Sequence, residues 1–230
     1  MSEIWESTVL LFSTLAALFI GTDTMPVSSE QLKSQQDKQT IPTHYSKRTD
    51  FSPENIEIIA LNNAVTKDVT NAVAKKLSDQ YSIPVHVLRY KANLTSAYVA
   101  ERQQYDGKKL LGILELPRQK NTYVIYIIDG DIYTTGYNFL FAHTDFKSHE
   151  TVISMSRFKD EHKDSNISIE RLNKLLMRRI GFAYGLESNE CVMYFAPSLE
   201  EFDKVEATYC PQDKAFLERR GVLKTAFRQN

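Results

Sequence analysis

Read by its apolar positions, the chain alternates short runs of branched and aromatic residues with longer stretches at helical spacing. Ile56–Leu61 predicts a buried strand. Val69, Ala72, Val73, Ala74 and Leu77 recur at helical spacing and predict a helix over Lys67–Ser78. Val85–Tyr90 alternates and predicts a second strand, entered through Ile83-Pro84. Ala97–Leu116 predicts another helical stretch. Tyr123–Ile128 is an unbroken run of β-formers and predicts the strongest strand, left through the turn at Asp129-Gly130. Asn138–Phe141 and Thr151–Ser154 predict two more strands. A long helix follows, with Ser168 as N-cap and Gly185 as its stop. The order βαβαβ, then ββ, then a helix, predicts an α/β (α+β) fold with helices packed on a mixed β-sheet. The basic segment Lys214–Asn230 predicts a docking helix.

Within the long helix, Ile169, Leu172, Leu176, Ile180 and Ala183 share one face at 100° per residue, and Arg171, Lys174, Arg178 and Phe182 share the opposite one. A helix of this kind buries its apolar face and offers the other to a cleft or to solvent.

Residues 1–21 contain the apolar run Thr8–Ile20, too short to span a bilayer comfortably and of the length of a signal-peptide core. Glu3 and Glu6 precede it without Lys or Arg, and no A-x-A site follows. Residues 22–50 are rich in Ser, Gln, Lys, Thr and Asp and predict a polar linker, so that the folded domain is 51–230. An apolar segment followed by a tether favours export, or membrane attachment through residues 8–20, over a cytoplasmic chain.

Composition narrows the function classes. The 230 residues, 42% hydrophobic and 25% charged, suffice for one ordinary globular domain with a core. A formal net charge of −1 supplies no field for nucleic acid. Two cysteines, Cys191 and Cys210, exclude a CxxC…CxxC zinc site and leave a disulfide, free thiols or a mixed metal site open. His143, His149 and His162 are scattered, with no i,i+4 pair on a predicted helix. The sequons Asn93-Leu-Thr95 and Asn166-Ile-Ser168 carry meaning only in a glycosylating host.

The stretch Arg178-Arg-Ile-Gly-Phe-Ala-Tyr-Gly-Leu186, followed by Cys191-Val-Met193 and Cys210-Pro-Gln-Asp213, is similar to the central motif of the archaemetzincins, a metzincin-type zinc peptidase family. That motif is HExxHxxGxxHCxxxxCxM, with CxxC further on. Arg102-Gln-Gln-Tyr-Asp106, Asp131-Ile-Tyr133, Gly136-Tyr-Asn-Phe139 and Val152–Arg157 also resemble blocks of that family, in the same order. The resemblance runs from about Ile56 to Asp213 and implies a metzincin-like fold.

It also implies where the chemistry should be, and there the chain departs from it. Arg178 and Phe182 stand at the first two histidines and Arg179 at the glutamate base. Glu187–Glu190 stands in shortened form where the third histidine and a cysteine belong. Catalytic zinc needs three lone-pair ligands and an open water position, and lowers the pKa of that water to about 7. Arg178 stays protonated, Phe182 has no lone pair and Arg179 accepts no proton. The resemblance therefore implies no catalytic residues and no metal, in a pseudopeptidase that binds a peptide or protein partner in the former substrate cleft. The alternative is a zinc-dependent metallopeptidase with non-standard ligands.

Partner binding would use an edge strand at Asn138–Ala142, with Phe139, Phe141 and Phe182 as apolar surface beside Arg178. A further expectation is an anion site formed by Arg171, Lys174 and Arg178 on the cleft side of the helix. Met193 corresponds to the Met-turn residue, with packing as its role here. The resemblance brings Cys191 and Cys210 together as half of a structural zinc site. They then form a disulfide, hold residual metal with Asp213, or remain thiols.

Overall fold

The computed structural model of the chain describes residues 51–225 except 115, 117–118 and 159–164. The apolar segment at 8–20, the linker of 22–50 and the last five residues of the tail lie outside the described residues. In chain order the elements are β1 (Asn55–Leu61), α1 (Lys67–Gln80), β2 (Val85–Tyr90), β3 (Tyr98–Val99), β4 (Gln104–Asp106), α2 (Gly107–Ile113), β5 (Thr122–Ile128), β6 (Ile132–Thr134), β7 (Tyr137–Leu140), β8 (Ala142–Asp145), β9 (Glu150–Ser154), α3 (Ser165–Ala183), α4 (Leu199–Lys204) and α5 (Pro211–Arg219).

Two mixed sheets carry these elements, as the α/β reading expects. The larger has the order β2-β1-β5-β9-β8, parallel except for β8, which runs antiparallel along one edge. The smaller has the order β3-β4-β6-β7. All seven residues of β5 are buried because apolar layers cover both its faces. Tyr123, Ile125 and Ile127 enter a core with α1 and α3, while Val124, Tyr126 and Ile128 enter a second core with Leu110 and Leu111 of α2. Two-sided burial is what an uninterrupted apolar strand requires.

Local chemistry places the helix ends. The Thr66 hydroxyl accepts the Val69 N–H at the start of α1. The Asp106 carboxylate accepts the N–H groups of Lys108 and Lys109 at 2.9 and 3.1 Å and starts α2. Only the end of the predicted Ala97–Leu116 helix is therefore helical. Upstream, Gln103 at φ +53° turns the chain so that Gln104–Asp106 can join the small sheet. The helix α3 begins at Ser165, a turn before the predicted cap, and the Ser168 hydroxyl donates to the Phe158 carbonyl instead. Gly185 does end it. At φ +83° it lets the Leu186 N–H reach Gly181 O and its own N–H reach Phe182 O, the Schellman arrangement.

The expected docking helix over the tail is a correction. The helix α5 starts earlier, at Pro211, and stops at Arg219. Leu223 then pairs with Tyr81 in an isolated bridge. Among the described residues, no helix is long and apolar enough to cross a membrane.

Candidate functional site

The helix α3 is covered on nearly every side: each residue from Arg171 to Arg178 is buried. Its apolar side meets the sheet, and its polar side is roofed by α4 and by the loop that follows Gly185. Arg171 forks onto Asp203 with contacts of 2.8 and 2.6 Å and donates a further bond to Phe158 O. The Lys174 ammonium donates to Phe202 O and Asp203 O at 3.2 and 3.0 Å, so it caps the end of α4. Burial holds its pKa below the ordinary lysine range, while Asp203 and Glu170 oppose that shift. The anion site expected of Arg171, Lys174 and Arg178 is thus not assembled. Two of the three cations are consumed in tying α4 to α3, which a helical projection cannot reveal.

Arg178 is 6% exposed. Its guanidinium carbon lies 5.3 Å from the ring centroids of both Phe182 and Phe195, within the range of cation–π attraction. Its Nη2 also approaches the Ser188 hydroxyl at 3.5 Å, and that hydroxyl donates to Met193 O at 2.9 Å. Ser188 stands three residues after Gly185, which is the spacing of the third histidine in HExxHxxGxxH. The spacing was countable in the sequence, but the shortened loop hid the correspondence. Arg178 and Ser188 thus occupy the outer two ligand positions and touch each other.

Arg179 points another way. Its Nη1 lies 3.5 Å from the Thr144 hydroxyl on β8, and its guanidinium is 5.5 Å from the Phe182 ring. Thr144 continues through Thr151 to Tyr123 in a chain of hydroxyl contacts of 2.7 and 2.6 Å. His143 on the same strand is held below its ordinary pKa by burial first and by the field of Arg179 next.

Met193 is fully buried under the helix. A Cβ built on Gly181 would lie 2.6 Å from the Met193 sulfur, so a side chain at 181 would displace the Met193 thioether. Cys191, at φ +52°, opens that turn and is joined to Cys210 by a disulfide. Beside it, the Asn189 amide donates to the Asp213 carboxylate at 3.0 Å. Asn189 directly follows Ser188, and Asp213 ends Cys210-Pro-Gln-Asp, so these two stand where the family pattern has its other two cysteines.

The expected edge strand at Asn138–Ala142 is divided between the sheets. The strand β7 borders the small sheet, and the antiparallel edge of the large sheet is β8. Asn138 is exposed, and its carbonyl accepts bonds from Arg102 and Gln104. Arg157 covers the Phe139 ring at 3.9 Å. Phe141 packs against Phe158 and Phe202 with centroids 5.1 and 5.8 Å away, and those two rings stack on each other at 5.5 Å. Phe139 and Phe141 are therefore built into an aromatic cluster with Phe158 and Phe202. A cavity of about 760 Å³ lies elsewhere, at the end of α1 and α5, lined by Asp79, Thr208, Lys214, Glu218 and Lys224.

Chemically, the three ligand positions hold a guanidinium, a phenyl ring and a hydroxyl. A zinc site requires neutral or anionic lone pairs, so these residues do not fit that ion. Among the described residues, no cluster of three or more His, Cys, Asp or Glu could hold a metal.

A model of Peptidase family M54 matches residues 39–219. The archaemetzincin of Saccharolobus solfataricus is 30% identical over 156 residues, 64% of this chain and 84% of that protein. Among solved structures, archaemetzincin from Methanopyrus kandleri superposes with a TM-score of 0.62 at 25% identity, covering 78% of this chain and 97% of that one. Archaemetzincin from Archaeoglobus fulgidus, complexed with malonate, gives 0.60 at 28% identity, covering 70% and 98%.

Proposed function

The chain belongs to peptidase family M54, the archaemetzincins, and we propose that it is a non-catalytic member that binds a peptide or protein segment along its former substrate cleft. The observation that carries this reading is the filled metal seat. Arg178, buried between Phe182 and Phe195 and facing Ser188, puts a permanent cation where the peptidase motif places ligands for an exchangeable one. Arg179, in the place of the base, cannot take a proton from water.

The fold retains a means of binding extended chain. The Ser154 N–H donates to Phe141 O, which sets the alternation of the β8–β9 ladder. In that register the backbone groups of Ala142 and Thr144 point away from β9. Among the described residues no strand pairs with that side of β8. A peptide can add there as a further strand, with β8 taking the role first assigned to Asn138–Ala142.

Two measurements on the full chain test the proposal. Zinc content is determined by mass spectrometry, alongside cleavage of fluorogenic peptides with added zinc and with chelator. The expected result is no chelator-sensitive cleavage. One zinc per chain with chelator-sensitive turnover would establish the metallopeptidase alternative instead. Binding to an arrayed peptide library is then compared for Thr144→Pro, which removes an outward N–H, and Thr144→Val, which keeps it. Loss of binding in the proline variant alone supports strand addition.

A further inference from the structure

We propose that the Cys191–Cys210 disulfide is a redox latch on the partner site: oxidised, it pins the 187–196 loop against Arg178, and reduced, it lets that loop go. The inference deepens the binding reading above and shares its site, but its first readouts need no peptide.

Three observations converge on it. Two neighbours of Arg178 outside its own helix, Ser188 and Phe195, belong to the loop that contains Cys191. The bond joins that loop to the start of α5 across a sequence separation of 19. Cys191 itself sits at φ +52°, a backbone region that a residue with a Cβ keeps only when its surroundings hold it there. The cross-link is the covalent part of those surroundings. Other ties that reach across from the loop to residues 208–213 are the Val192 N–H to Thr208 O bond at 2.9 Å and the exposed Asn189–Asp213 contact. A lone exposed hydrogen bond exchanges readily with water and adds little on its own.

The latch is also local and reachable. Cys191 and Cys210 are both partly exposed, so a reductant can reach them. Val192 and Met193, by contrast, are buried pegs in the core. Reduction therefore frees the flanks of the turn without pulling out its centre. In the exchange, the two thiols of a dithiol such as dithiothreitol give up two electrons and two protons. The protein S–S bond breaks, Cys191 and Cys210 become thiols, and the reagent closes into its own cyclic disulfide. A metal-bound four-cysteine site has no such S–S bond to break. The replacement of two cysteines by Asn189 and Asp213 is what makes the remaining pair responsive to a dithiol.

The test uses the full chain in three forms: oxidised, dithiothreitol-treated, and the Cys191→Ser/Cys210→Ser double variant. Hydrogen exchange is followed at the 187–191 amides, and phenylglyoxal labelling at Arg178, with exposed Arg219 as the control. The expected result is exchange about tenfold faster and faster Arg178 labelling in the second and third forms, with Arg219 and the β5 amides unchanged. Identical behaviour of all three forms would overturn the latch, and so would two free thiols in protein made under oxidising conditions. If no arrayed peptide binds any form, the binding proposal falls while exchange and labelling still decide the latch. If a peptide does bind, its Kd should rise on reduction in the wild type and ignore dithiothreitol in the double variant. An unchanged wild-type Kd would overturn the coupling to the site.

Discussion

Gly181 shows how much one absent methyl can decide. A Cβ there would press on the Met193 sulfur and on Leu186, and the full burial of Met193 limits its retreat. Gly181→Ala should destabilise the fold by about 1–3 kcal/mol, the usual cost of overpacking, despite the gain in helix propensity. Thermal unfolding of the variant measures it. His143 gives a pH dependence at the same scale. Its folded pKa lies below the ordinary 6.5 because burial and Arg179 disfavour the imidazolium. The unfolded chain therefore binds the proton more readily. Stability from this residue is complete above 6.5 and falls as pH drops from there towards the folded value. In His143→Gln that part of the slope should disappear from the plot of unfolding free energy against pH.

At the scale of elements, α4 is too short to persist through its own hydrogen bonds. It is held by the Ser198 cap, by Phe202 in the core, and by the two buried cations of α3. Asp203→Asn should cost about 1–2 kcal/mol. It leaves Arg171 buried without its charge, but Asp203 is 41% exposed and already partly screened. Urea unfolding at low and high salt checks the value. The same contact explains what the sequence could and could not disclose. The periodicity of Ile169, Leu172, Leu176, Ile180 and Ala183 was sufficient to place α3, because a sheet takes that face. Nothing in the positions of Arg171 and Lys174 announces that the opposite face is covered too, since the covering helix lies in sequence well beyond any periodic window. Tyr123–Ile128 was legible because both of its faces are buried. Ala97–Leu116 was misleading because its apolar residues serve two short strands and a capped helix rather than one continuous face. The division of Asn138–Ala142 between two sheets depends on pairing partners distant in sequence, which alternation alone does not specify.

For the molecule as a whole, the cross-link from the loop to α5 restrains the unfolded chain. Cys210→Ala should lower the unfolding free energy by about 3 kcal/mol by the chain-entropy estimate for a loop of this size. Denaturant titration of the oxidised wild type against the variant measures the difference, and adding dithiothreitol to the wild type should reproduce most of it. The motif frame, glycines and Cys-x-Met turn included, was readable in the chain. The seat built from Arg178, Ser188 and Phe195 was not, because its three members meet only after the chain has turned at Gly185.

That seat has a consequence for any attempt to build a metal site into this chain. Installing the donor set of the family motif calls for histidine at 178, 182 and 188 and glutamate at 179. Any one of these replacements alone removes part of an existing contact and supplies at most one ligand. Stepwise changes therefore each disturb the packing around Arg178 before a three-ligand set exists, so the four replacements have to be made together.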